Sequence, residues 1–73
     1  MSVVAVVGLG YVGLPLAAEF GKKLTTVGFD LSSSKVESYQ RYIDPTGEVS
    51  SEALRAARHL TATTDPKQLA QAD

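Results

Sequence analysis

The sequence predicts an α/β fold, a small parallel sheet with helices on its faces, and three observations carry that expectation. Val3-Val4-Ala5-Val6-Val7 is an unbroken apolar and mostly β-branched run, the pattern of a strand buried on both faces. Gly8-Leu9-Gly10-Tyr11-Val12-Gly13 follows at once and gives way to apolar residues at helical spacing. Strand-like and helix-like segments then alternate along the rest of the chain, the order that builds a parallel sheet through crossover connections.

Taken in order, Val3 to Val7 reads as a central strand. In the helix that follows, Val12, Leu16 and Phe20 recur every four residues with Gly13 and Ala17 beside them, marking one face of a helix that ends at Gly21. Pro15 removes a backbone donor, expected in the second turn, so the helix should begin loosely or bend there. Thr25 to Asp30 is a short β-prone segment ending on an acid, and Val3 to Asp30 spans 28 residues, close to the roughly 30 of a βαβ unit.

Ser34-Lys35-Val36-Glu37 has capping-box spacing and opens a second helix, with Val36, Tyr39 or Gln40, and Ile43 on its apolar side. Tyr39 and Tyr42 are expected to pack against the sheet, and Asp44-Pro45-Thr46-Gly47 breaks the helix. A third helix is expected over Ser51 to Arg58, capped by Ser50, with Leu54 and Ala57 inward. Leu60 to Thr64 suits a third strand, and Asp65-Pro66-Lys67-Gln68 opens a last helix through Ala72. Right-handed crossovers order the strands 3-2-1. A fourth strand, missing here, would pair with the free side of Val3 to Val7, which is too apolar for a comfortable edge.

With 73 residues the chain holds at most one small folding unit. A fold of that size buries only about 60% of its unfolded surface, and there is no cysteine to add a disulfide, so its margin of stability is small. Hydrophobic residues at 44% and charged residues at 21% are globular, not disordered, composition. Seven basic against eight acidic residues give a net charge of -1, and Lys22-Lys23 is the lone adjacent basic pair. Neither nucleic acid nor an anionic membrane is expected as a partner. The first apolar stretch lacks a basic leader and is interrupted by glycines, which points to a soluble, cytoplasmic protein.

The glycine segment is G-x-G-x-x-G set between a strand and a helix, and each glycine has a steric task. Gly8 allows the tight turn, Gly10 lets a diphosphate approach the main chain, and Gly13 lets the helix lie close on the strand. The amides of Tyr11 and Val12, at the start of that helix, lack intrahelical acceptors and face an anion with the positive end of the dipole, worth about 0.3 to 2 kcal/mol. Asp30 lies 17 residues beyond Gly13, near the roughly 20-residue spacing of the acid that binds the adenosine ribose hydroxyls. It favours NAD and repels the 2′-phosphate of NADP. Lys35, five residues later, reaches the same ribose or is simply solvated.

The competing readings are plain. G-x-G-x-x-G alone can be a tight turn and Asp30 a turn residue, but together, in a strand-loop-helix setting, they favour a nucleotide. His59 lies at a helix end with no second ligand nearby in sequence, which suits a surface role better than catalysis or metal binding. The whole reads as the N-terminal half of a Rossmann-like dinucleotide-binding domain, and as such it could also serve another NAD-dependent dehydrogenase family with the same first βαβ unit, or a non-catalytic nucleotide-binding or flavin-binding module.

Gly8-Leu9-Gly10-Tyr11-Val12-Gly13-Leu14-Pro15-Leu16, Glu19-Phe20-Gly21 and Val27-Gly28-Phe29-Asp30 resemble the start of the UDP-sugar 6-dehydrogenases. The Tyr-Val-Gly-Leu-Pro extension is far more specific than the glycines alone. Asp44 to Val49 and Leu60 to Asp65 resemble the UDP-N-acetylhexosamine branch, including the Vi-polysaccharide type, more than the UDP-glucose branch. The resemblance implies NAD as cofactor, a UDP-sugar substrate, a homo-oligomeric full-length protein, and oxidation of the C6 alcohol to a carboxylate in two NAD-dependent steps through a cysteine thioester. The cysteine is absent from this chain, and the family's catalytic lysine, asparagine and substrate domain lie further downstream. Residues 1-73 then form part of an NAD-binding domain, cut just before its fourth strand and inactive by itself. Val12, through its amide, Asp30 and Lys35 fall where the family makes its NAD contacts.

Overall fold

The computed structural model describes residues 3–10 and 12–71. The elements follow in the order β1 (Val3–Val7), α1 (Gly13–Gly21), β2 (Thr25–Phe29), α2 (Ser33–Gln40), α3 (Ser51–Ala56), β3 (Leu60–Thr63) and a 3-10 helix (Pro66–Gln71). Both strand pairs are parallel and β2 lies between β1 and β3, which is the expected 3-2-1 order. The pairing sets Val4, Thr26 and Leu60 in one row and Val6, Gly28 and Ala62 in another, and strand alternation puts both rows on one face.

That face carries the core. Val6 and Ala62 pack with Leu14, Ala17 and Ala18 of α1, Val36 and Tyr39 of α2, Leu54 of α3, Leu9, Val49 and Ala57. On the opposite face Val27 and Phe29 are buried, and the 3-10 helix packs against β2. β1 differs from the expected strand buried on both faces: Ala5 is exposed and Val7 is 68% exposed. Among the described residues no strand pairs with its outer side, so β1 is an edge.

The expected inner face of α1 is corrected. Leu14, Ala17, Ala18 and Gly21 are buried, whereas Val12, Leu16 and Phe20 form an exposed stripe. The small residues decide this, because they let the helix axis come closer to the sheet than Leu16 and Phe20 would allow. Gly21 marks one close approach. A Cβ there would lie 2.7 Å from Leu60 Cβ and 3.2 Å from Ala57 Cβ, so this glycine serves close packing and not a left-handed cap. Pro15 sits in the first turn, where its missing N–H has no intrahelical acceptor to lose, and Val12 caps the helix without a side-chain bond.

In α2 the cap is Ser32, two residues before the expected start, and its Oγ accepts from the Lys35 amide. The helix stops before Asp44, since Tyr42 takes a left-handed φ of 64°. Tyr42 and Ile43 are therefore exposed, and Tyr42 lies under the Arg55 guanidinium at 5.3 Å instead of against the sheet. The Asp44 carboxylate holds the following turn by accepting from Thr46 N, Thr46 Oγ1 and Val49 N, which seats Val49 in the core.

α3 ends at Ala56, short of Arg58, because the His59 amide turns back to the Gly21 carbonyl at 2.9 Å. The last helix is 3-10: Gln68 N bonds the Asp65 carbonyl, an i to i+3 pattern suited to so short a segment. Its expected end at Ala72 lies outside the described residues.

Gly21→Ala should lower stability by about 1 to 3 kcal/mol through overpacking, read from the midpoint of a denaturant titration; an unchanged midpoint would contradict the close packing. The open side of β1 should make the 73-residue chain self-associate. Sedimentation velocity over a concentration series is expected to show growing oligomers, and a monomer throughout would contradict it.

Candidate cofactor site

The site is the turn from β1 into α1. Gly8 has φ +89°, a conformation that a side chain would strain, and its amide continues the sheet by donating to the Phe29 carbonyl at 2.7 Å. Gly13 packs directly on Gly8: a Cβ at Gly13 would overlap the Gly8 carbonyl oxygen and come within 2.9 Å of its carbon. Gly10 is different. Its φ is not left-handed, and a Cβ there would have nothing within 4 Å. The fold itself does not need a glycine at position 10.

Leu9 anchors the turn from below. Its side chain is fully buried and lies over Gly28, whose added Cβ would come within 3.0 Å of Leu9 Cδ2. Its amide donates to Asp30 Oδ2 at 2.9 Å, and its carbonyl accepts from the Tyr39 hydroxyl at 2.8 Å. With Gly8 N and Leu9 N engaged, the amides of Gly10 and Val12 have no backbone acceptor among the described residues. Gly10 is exposed and Val12 is 78% exposed, so both lie where an anion could reach them. Tyr11 lies outside the described residues.

Asp30 follows β2 and faces the same turn. Besides Leu9, its carboxylate accepts the Ser32 amide through Oδ1 at 2.9 Å. The amides of Ser32 and Leu9 hold its pKa below the usual carboxylate value, with help from the Lys35 charge and against partial burial. The group is an anion at neutral pH, and each oxygen keeps a lone pair for a further donor such as a ribose hydroxyl. Lys35 is exposed in the first turn of α2 and near enough to Asp30 for its charge to act. Gly8, Gly10, Val12, Gly13, Asp30 and Lys35 thus lie around one end of the sheet, at the carboxyl ends of β1 and β2, where open α/β sheets bind ligands.

His59 is exposed at the turn between α3 and β3, and among the described residues no three His, Cys, Asp or Glu side chains gather as a metal site. The contact to this turn that the residue pattern did not disclose is that of Tyr39, through its bond to the Leu9 carbonyl. Burial, then the charges of Asp44 and Asp30, push its phenol pKa up, so it stays a neutral donor. The available signal was that a tyrosine on the inner face of a helix needs a partner for its hydroxyl.

Residues 2–73 match the NAD binding domain of the UDP-glucose/GDP-mannose dehydrogenase family. A UDP-N-acetyl-D-glucosamine 6-dehydrogenase of Pseudomonas aeruginosa is 55% identical over 60 residues, 82% of this chain and 14% of its own length. A protein of the same description from Salmonella typhi is 45% identical over 62 residues, covering 85% of this chain and 15% of its own. Protein CapL of Staphylococcus aureus is 40% identical over 70 residues, 96% of this chain and 16% of its own. The chain therefore spans about one seventh of the length of these curated relatives.

Among solved structures, GDP-mannose dehydrogenase of Pseudomonas aeruginosa, a ternary complex, superposes with a TM-score of 0.82 at 28% identity, over all of this chain and 18% of its own. The UDP-N-acetyl-mannosamine dehydrogenase Cap5O of S. aureus gives 0.74 at 28% identity, over 89% of this chain and 17% of its own. Strand order, glycine turn and relatives agree on a Rossmann-like NAD-binding unit, and the chain belongs to the UDP-glucose/GDP-mannose dehydrogenase family through its NAD-binding domain.

Proposed function

We propose that Gly8, Gly10, Tyr11, Val12, Gly13, Asp30 and Lys35 form the adenosine-side NAD site of a nucleotide-sugar 6-dehydrogenase that oxidises a UDP-N-acetylhexosamine. Gly10 carries this reading. A glycine that neither backbone strain nor packing requires sits beside unengaged amides in open space, and a bound diphosphate accounts for it. In this assignment the amides of Tyr11 and Val12 hold the diphosphate, Gly10 lets it approach the main chain, Asp30 accepts from the ribose hydroxyls, and Lys35 lies at the ribose edge. Gly8 and Gly13 shape the turn from within.

The substrate class rests on the relatives, two of which are described as UDP-N-acetyl-D-glucosamine 6-dehydrogenases. Taking a primary alcohol to a carboxylate removes four electrons, as two hydrides, so two equivalents of NAD are consumed for each sugar. This chain's share is to hold and orient the cofactor. The thioester step that the family resemblance implies needs a cysteine, of which residues 1-73 have none, and the chain spans about one seventh of the length of its curated relatives. A homo-oligomeric protein working in the cytoplasm fits the reading; among the described residues no helix is long and apolar enough to cross a membrane.

Gly10→Ala should leave thermal stability unchanged, or raise it by up to about 1 kcal/mol through the unfolded state, while weakening NAD binding about tenfold or more in calorimetric titration of the full chain. Undiminished NAD affinity would remove the diphosphate from this turn. Asp30→Asn should weaken NAD and narrow the preference for NAD over NADP by about tenfold, the scale of a charge-assisted hydrogen bond; equal NAD affinity in mutant and parent would take Asp30 out of the site.

A further inference from the structure

We propose that Tyr39 is a positioning residue for the cofactor: by holding the Leu9 carbonyl it aims the Gly10 amide outward at the diphosphate. The inference rests on the reading of the glycine turn given above. Its basis is the pair of bonds on one residue, Leu9 N to Asp30 Oδ2 at 2.9 Å and Tyr39 Oη to Leu9 O at 2.8 Å.

A trans peptide sets its C=O and N–H in opposite directions, and there are no cis peptides among the described residues. The carbonyl of the Leu9-Gly10 peptide is turned inward to the buried Tyr39 hydroxyl, so the Gly10 N–H on the other side of that plane is turned away from it, in an exposed residue whose amide meets no backbone acceptor among the described residues. Without a lock this plane is free to turn over, because a glycine on one side of it tolerates almost any φ. The reversed plane would present a carbonyl oxygen to the phosphate, and repulsion would replace a hydrogen bond. Asp30 fixes the preceding peptide plane through Leu9 N, and Tyr39 fixes this one.

The core alone does not explain the hydroxyl. Phenylalanine would fill the same space beside Val36 and Leu9 without bringing a polar atom into it. The phenol is neutral, as a donor must be, and it reaches 30 residues back along the chain to a carbonyl that belongs to no helix or strand. Tyr39 lies behind the turn, so it acts through the Leu9-Gly10 peptide.

The test divides NAD into its parts. Wild type, Tyr39→Phe and Gly10→Ala of the full chain are titrated with NAD, ADP-ribose and adenosine, the last having no phosphate. Tyr39→Phe should weaken NAD and ADP-ribose about three- to tenfold, the range of one hydrogen bond, and leave adenosine within twofold; in the working enzyme the KM for NAD rises at constant kcat. Equal ADP-ribose affinity in Tyr39→Phe and wild type overturns the proposal, and so does an equal loss for adenosine and ADP-ribose, the mark of a merely structural role. If Gly10→Ala binds ADP-ribose as wild type does, the turn is not the diphosphate site and the underlying reading falls first. A second measurement needs no variant: the Gly10 amide resonance of the wild type should move with ADP-ribose and stay in place with adenosine. A Gly10 amide indifferent to ADP-ribose overturns the proposal even if Tyr39→Phe fails to fold.

Discussion

The contact between Gly13 and the Gly8 carbonyl governs much of the rest of the molecule. It brings the first turn of α1 onto the end of β1 with no side chain between them, and that closeness sets both the depth and the rotation of the helix. Leu14, Ala17, Ala18 and Gly21 then become the buried face, and Gly21 continues the close approach at the far end against Leu60 and Ala57. A helix held this near the sheet keeps its amino terminus at the mouth of the turn, where unengaged amides and the helix dipole act together.

Asp30 has two tasks that support each other. The amides of Ser32 and Leu9 lower its pKa below the usual carboxylate value, and in return its carboxylate fixes the turn on one side and the start of α2 on the other. The Ser32 bond also explains where α2 begins. Once Asp30 accepts that amide, Ser32 is placed to cap the Lys35 amide, and the capping-box spacing of Ser34 and Glu37 is left unused.

Four of the exposed apolar residues lie on β1 and at α1. Val7 stands on the uncovered side of β1, and Val12, Leu16 and Phe20 line the outer side of α1. Exposed surface of this kind suits a unit that spans about one seventh of its relatives' length. The same surface misdirects a pattern reading of α1, since period-four spacing of large apolar residues marks a face without saying what that face meets.

Local chemistry was enough to establish the strands, their parallel order, the glycine turn and the acid beyond β2, because a β-branched run, glycines at set spacing and a strand-ending carboxylate act within a few residues of themselves. It could not choose the buried side of α1, end α2 at Gln40 or find a partner for Tyr39. The first and last of those outcomes depend on groups distant in sequence: Leu60 against Gly21, and a hydroxyl meeting a carbonyl 30 residues away. Residue type determined which groups could bind a dinucleotide, and packing across the sheet decided where they point, because the direction of a peptide plane is set by whatever holds its oxygen.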